Sequence, residues 1–184
     1  MNKHKENAYD EVPDTELNDC LFTLRDEIKS LSNKQQHLFC NWIRERSAFF
    51  KSEKVFVSGR FPSLSRGQVI IANFGYNIGS EWGGKRPAIV INNNQSKSSG
   101  TVVVVPVSTV DPLKSVANYP DYRVFLGEVF PGTGKQCFAA ITAIREISKI
   151  RINNPKEHPI TKISDETLDQ IDEVIKKYFT KNNC

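Results

Sequence analysis

Arg66-Gly67-Gln68-Val69, then Gly79-Ser80-Glu81-Trp82-Gly83-Gly84-Lys85-Arg86-Pro87, then Val102-Val103-Val104-Val105-Pro106-Val107-Ser108-Thr109: these three runs, in this order, decide how the chain is read. The central run places three glycines within six residues. Glycine tolerates positive φ and leaves backbone free for close approach, so this is a loop built to lie against something. Arg86 stands where the loop re-enters an apolar run, Ala88-Ile89-Val90-Ile91. Its guanidinium is permanently charged and forks onto phosphate oxygens in a fixed geometry, which makes it a candidate phosphate clamp. The hydroxyl pair Ser108-Thr109 closes the next apolar run, where a side chain can project from a strand end into a cleft. Each feature alone also suits an ordinary hairpin turn or strand end; the signal is their joint order.

Working outward, strand-like runs occupy 68–74, 87–92, 101–107, 122–126 and 137–145, dominated by valine and isoleucine. Short connections favour antiparallel pairing, and closure into a small barrel removes exposed edges. Before them, residues 59–65 hold glycine, proline and serines where the periodicity changes from about 3.6 to about 2, the pattern of a linker. Further upstream Leu17, Leu21, Leu24, Ile28 and Leu31 form one helical seam. A second helix begins after Ser32, with Gln35 completing a capping box, and carries Leu38, Phe39, Trp42, Ile43, Phe49 and Phe50. The two make a helical hairpin over residues 1–58 that needs a further surface to pack on, with 1–12 expected to be disordered. Downstream, Ser164 caps a last helix, Asp165 and Glu166 complement its dipole, and Ile163 and Leu168 stand at staple spacing. Its stripe is Leu168, Ile171, Val174, Ile175, Tyr178 and Phe179.

The chain of 184 residues carries a net charge of +4, unevenly distributed. Residues 1–60 hold ten basic and ten acidic side chains, 61–163 twelve and six, and 164–184 three and five. The positive excess therefore falls on the strand-rich module, which suits a polyanionic ligand. Cys20, Cys40, Cys137 and Cys184 make no CxxC pair, so neither a zinc site nor a disulfide framework is expected. No apolar run approaches the roughly 20 residues that span a bilayer, and the N-terminus lacks a signal-peptide core. No membrane association, a cytoplasmic location and reduced thiols are the expectation. No internal repeat or low-complexity tract is present.

These motifs resemble the MazF/PemK family of toxin endoribonucleases over about residues 64–180. The family pattern is an RGD-like strand start, a GSEQGG-R-P loop, a P-[IVL]-[TS] strand end, a Gln-Ile-Arg element and a D-E-T-L-like helix start. Arg66-Gly67-Gln68 matches the first, with Gln68 in the usual acidic place. Gly79 to Pro87 match the loop, with Trp82 where glutamine is frequent. Pro106-Val107-Ser108, Ala143-Ile144-Arg145 and Ser164-Asp165-Glu166-Thr167-Leu168 match the rest.

The resemblance implies an α+β fold: a small SH3-like antiparallel β-barrel of the CcdB/MazF type with a C-terminal helix, over 66–184, preceded by the helical hairpin and the linker. It implies a metal-independent mRNA interferase of a toxin-antitoxin system, needing no cofactor, specific for single-stranded RNA, and using the substrate's 2′-hydroxyl to leave a 2′,3′-cyclic phosphate and a 5′-hydroxyl. Arg86 falls on the catalytic arginine position and Ser108 on the catalytic hydroxyl position. Glu81, Trp82, Lys85 and Thr109 fall at substrate-binding positions. Glu81 has three readings: shaping the loop, accepting from a base, or holding Arg86. Trp82, Tyr76 and Phe74 flank the loop and are placed to stack on bases, and Trp82 alternatively fills the barrel mouth. The general base is left open, since His4, His37 and His158 lie outside the motifs. Expected partners are RNA, a cognate antitoxin and a second copy of the chain. The alternative is a non-catalytic or gyrase-poison-like protein-binding module on the same barrel.

Overall fold

The computed structural model describes residues 11–93, 96, 98–130, 132–153 and 161–181; residues 1–10 of the segment expected to be disordered, together with His4, His158 and Cys184, lie outside the described residues. The chain divides into two compact units, Met1–Arg44 and Glu45–Cys184.

The first unit holds helix α1 (Asp14–Ser30) and the start of helix α2 (Asn33–Glu53). Asp14 and Glu16 in the first turn of α1 and Lys29 in the last oppose the helix dipole at both ends. The capping box before α2 forms as the sequence predicts: the Ser32 amide donates to Gln35 Oε1 at 3.2 Å and the Gln35 amide donates to Ser32 Oγ at 3.5 Å. The leucine seam of α1 is present but open, with Leu17 48% and Leu21 54% exposed. No residue of either helix is buried. Two short helices have too little apolar surface to form a core of their own.

The second unit contains strands β1 (Val69–Asn73), β2 (Lys85–Val90), β3 (Thr101–Thr109), β4 (Arg123–Glu128), β5 (Gln136–Ala140) and β6 (Arg145–Ser148), all paired antiparallel in the order β1-β2-β3-β5-β4, with β6 also on β3. The expected single strand over 137–145 is split. β5 pairs with the end of β3 (Val107↔Ala139) and β6 with its start (Val104↔Arg145), and a 3-10 turn at Ile141–Ala143 absorbs the change of register between them. After β6 the chain turns back to meet β1, through the bridge Ala72↔Ile152 and the hydrogen bond from the Asn153 amide to the Ile71 carbonyl at 2.9 Å. The pairings thus return to the strand they started from, and the sheet curls into a small barrel.

Alternation of side chains along the strands feeds two cores. Val69, Ile89, Val105, Val107, Val124 and Ala139 pack beneath helix α3 (Asp165–Phe179) through Ile171, while Ile70, Ala72, Ala88, Val90, Val102 and Val104 fill the other face with Phe74 and Ile152. Burial on both faces explains why these strands read as unbroken valine and isoleucine runs. Ser164 caps α3, accepting from the Thr167 amide at 3.2 Å, as expected. The Arg66-Gly67 start of the motif serves the fold. Arg66 pairs with Asp172 on α3 and donates to the Ile91 carbonyl. Gly67 sits at φ +82°, where an added Cβ would come 2.9 Å from Leu168 Cδ1.

Candidate active site

The glycine loop joins β1 to β2 and is tied at its base, its middle and its exit. At the base, the Phe74 amide donates to the Gly84 carbonyl at 2.9 Å and the Gly84 amide donates to the Gly75 carbonyl at 2.6 Å. Gly83 lies so close to this crossing that a Cβ there would come 2.7 Å from the Gly75 carbonyl oxygen. Below it, buried Asn73 accepts from the Gly75 amide at 2.9 Å and donates from Nδ2 to Glu45 Oε2 at 2.6 Å. In the middle, the Trp82 carbonyl accepts from Asn77 Nδ2 at 2.7 Å and from Arg145 Nη2 at 2.9 Å. At the exit, Arg86 Nε donates to the Gly83 carbonyl at 2.7 Å, and its Cζ lies 4.9 Å from the Trp82 ring centre. One face and one nitrogen of the guanidinium are thus used in holding it still.

Arg86 and Ser108 stand on neighbouring strands, each two residues beyond the last β2–β3 pair, Ala88↔Pro106. From there the strands take other partners, Arg86 opposite Ala72 and Ser108 opposite Phe138. The aromatic side chains bridge the divergence, because Phe138 meets Trp82 edge-on at 6.2 Å and Trp82 carries Arg86. Ser108 is half-buried, and among the described residues no group hydrogen-bonds its hydroxyl. That hydroxyl is free to engage a ligand.

Trp82 is half-buried between charges and rings rather than free in solvent. Phe74 is 2% exposed and packs under Arg145, so it belongs to the core and cannot stack on a base. Glu81 is exposed, and its charge acts on Arg145, raising that guanidinium's pKa against burial and Arg151, which lower it. Lys85 and Thr109 are exposed. Each is the strand neighbour of a proposed catalytic residue, and adjacent strand residues project to opposite faces. Thr109 instead lines a separate cleft of about 520 Å³ with Asp111, Lys114 and Lys135.

Three further side chains stand here: Arg145, which sequence reasoning marked only as part of a family motif, and Arg123 and Arg151, which it missed. Arg123, Arg145 and Arg151 come from β4, β6 and the turn after it. Burial first and then the Arg145 charge hold the Arg86 pKa below its ordinary value; burial and then Arg151 do the same for Arg145. The mutual repulsion of Arg86, Arg145 and Arg151 gives this face a positive potential that would favour an anion. The signal available in the sequence was the basic excess of residues 61–163. Among the described residues, no three or more His, Cys, Asp or Glu side chains gather where a metal ion could be held.

Residues 65–179 match the family model of the PemK-like, MazF-like toxin of type II toxin-antitoxin systems. The chain belongs to that toxin family. Among curated proteins, the toxin is 30% identical over 117 residues to the endoribonuclease MazF9 of Mycobacterium tuberculosis, covering 63% of this chain and 96% of that protein. Among solved structures it is similar to MazF of Deinococcus radiodurans (TM-score 0.44, 15% identity, 63% of this chain and 96% of that one) and to the M. tuberculosis toxin MazF-mt6 (TM-score 0.43, 16% identity, 60% and 94%). The MazE-MazF structure from D. radiodurans gives a TM-score of 0.42 at 18% identity, over 62% of this chain and 93% of that one. Among the described residues of the toxin, no helix is long and apolar enough to cross a membrane.

Proposed function

We propose that this toxin is a metal-independent endoribonuclease acting on single-stranded RNA. The observation that carries the reading is the Arg86 guanidinium, fixed by the Gly83 carbonyl and the Trp82 ring beside further arginines and, among the described residues, facing no carboxylate partner. In the proposed reaction the ribose 2′-oxygen attacks the adjacent phosphorus and the P–O5′ bond breaks. The proton lost from the 2′-hydroxyl is balanced by the one gained by the 5′-oxygen, so the products are a 2′,3′-cyclic phosphate and a 5′-hydroxyl. DNA lacks the nucleophile. Arginine is a poor proton donor, and Arg86 is therefore assigned stabilisation of charge on the pentacoordinate phosphate. Ser108 orients the phosphate through its hydroxyl. In-line attack needs a nucleotide free of helical geometry, which selects unpaired RNA. Membership of a toxin-antitoxin family supports a cognate antitoxin as partner; a homodimer and a cytoplasmic site of action complete the proposal.

Purified toxin incubated with single-stranded RNA in EDTA tests this. Cleavage leaving cyclic-phosphate ends, lost in Arg86→Ala, is the expected result. Intact RNA after incubation with the unaltered toxin would overturn the proposal and leave the protein-binding alternative.

A further inference from the structure

We infer that Arg123 is a second phosphate-binding guanidinium of this site, gripping the RNA chain next to the phosphate held at Arg86. The inference rests on the ribonuclease reading for its substrate class, and its own observations are the surroundings of Arg123.

Arg123 opens β4 opposite Ala140 and is half-buried. Its Cζ lies 4.4 Å from the Phe138 ring centre, 5.3 Å from Tyr119 and 5.7 Å from Trp82. Three rings thus surround one cation. Yet nothing neutralises it: among the described residues no group accepts a hydrogen bond from the Arg123 side chain, no ion pair reaches it, and its Nε is fully buried without a partner. A planar group with five donors, clamped by aromatic faces and given no protein acceptor among the described residues, is a binding device awaiting its acceptor. A structural arginine of the same fold shows the contrast, since Arg66 is satisfied by Asp172 and the Ile91 carbonyl.

Position makes the acceptor a phosphodiester. The Trp82 ring is shared by both cations, its centre 5.7 Å from Arg123 Cζ and 4.9 Å from Arg86 Cζ. Phe138, which holds Arg123, is the strand partner of Ser108. Arg123 also lines a cleft of about 80 Å³ with Val116, Tyr119, Asp121 and Phe138. Asp121, the carboxylate on its wall, is already engaged by Lys177 and Tyr178. Two cations gathered at one aromatic ring suit neighbouring phosphates of a single strand.

The test uses the full chain and a mixed-sequence 2′-O-methyl RNA, which has no free 2′-hydroxyl and so reports binding without cleavage. Kd is measured against salt for the unaltered protein, Arg123→Met and Arg123→Lys, with melting temperatures as a check on folding. Arg123→Met should raise Kd by about tenfold and make the slope of log K against log salt shallower by about 0.7, the loss of one single-strand phosphate contact. Arg123→Lys should restore the slope. Weakened binding with an unchanged slope in Arg123→Met assigns the residue a packing role and overturns the inference, as does binding equal to that of the unaltered protein. Cleavage of unmodified RNA is run alongside. Binding that behaves as expected without any cleavage sinks the ribonuclease reading alone, and cleavage with no slope change sinks this one alone.

Discussion

Arg145 donates from Nη2 to the Trp82 carbonyl across 2.9 Å, so a strand from late in the chain pins the middle of the loop that delivers Arg86. The same guanidinium covers the Phe74 ring at 4.7 Å. Arg145→Ala should therefore cost about 1.5–3 kcal/mol, the range for a hydrogen bond from a charged donor, read as a shift in the denaturation midpoint. Lysine has no fork to reach the carbonyl in the same geometry, and Arg145→Lys should recover less than half of the loss. Full recovery by lysine would show that only the charge matters.

Gly83→Ala separates loop geometry from loop chemistry. The new methyl would press on the Gly75 carbonyl at 2.7 Å, and either the crossing opens or the β2 strand shifts. Misplacement of a catalytic group by about 1 Å costs on the order of 100-fold in rate. RNA cleavage by this variant should fall by about that factor while far-ultraviolet circular dichroism stays unchanged. Normal turnover would mean that the crossing is not what aims Arg86.

Glu45, at the start of the second unit, supplies the acceptor for buried Asn73 Nδ2. Glu45→Ala leaves that amide without its partner, at a cost of about 1–3 kcal/mol for an unsatisfied buried donor. Glu45→Gln keeps a carbonyl oxygen in reach and should cost less than half as much. Equal losses in urea unfolding of the two variants would count against the hydrogen bond as the cause.

Part of the acid sensitivity should be traceable to Asp121, beside Glu128 and Glu166, whose carboxyls are lowered as well. Hydrogen bonds from Lys177 and then Tyr178 hold the Asp121 carboxyl below the usual carboxylate range. A depressed folded-state pKa gives stability that is present above the unfolded value and lost as pH falls through the folded one. The melting temperature of the unaltered protein should drop through that window, and Asp121→Asn should flatten this part of the profile. An identical acid limb in the variant would place the titration elsewhere.

Much of this was readable from the chain, and the exceptions share a cause. Arg86 could be picked out because glycines and a proline mark its loop by sequence distance alone. Ser32 with Gln35 and Ser164 with Thr167 are equally local, and both caps are present. The break in the strand after Ala140 was invisible because Ile141-Thr142-Ala143 has the apolar, β-branched composition of a strand; only pairing with both halves of β3 forces the turn. Arg123 and Arg145 lie in strands far along the sequence from the loop they surround; a family motif marks Arg145, while no local signal marks Arg123. Tertiary register, absent from any local window, brings four arginines to one place.

Strand β3 is hydrogen-bonded to β2 on one side and to both β5 and β6 on the other. Amides at Val104 and Val105, among the most deeply buried residues, can exchange with deuterated solvent only when most of the surrounding ladder comes apart, so they belong to the last segment to open. Ser108 ends that same strand. Whatever adjustment the proposed turnover requires would then come from the loop and the nucleic acid, since the Ser108 hydroxyl ends a strand laddered on both sides.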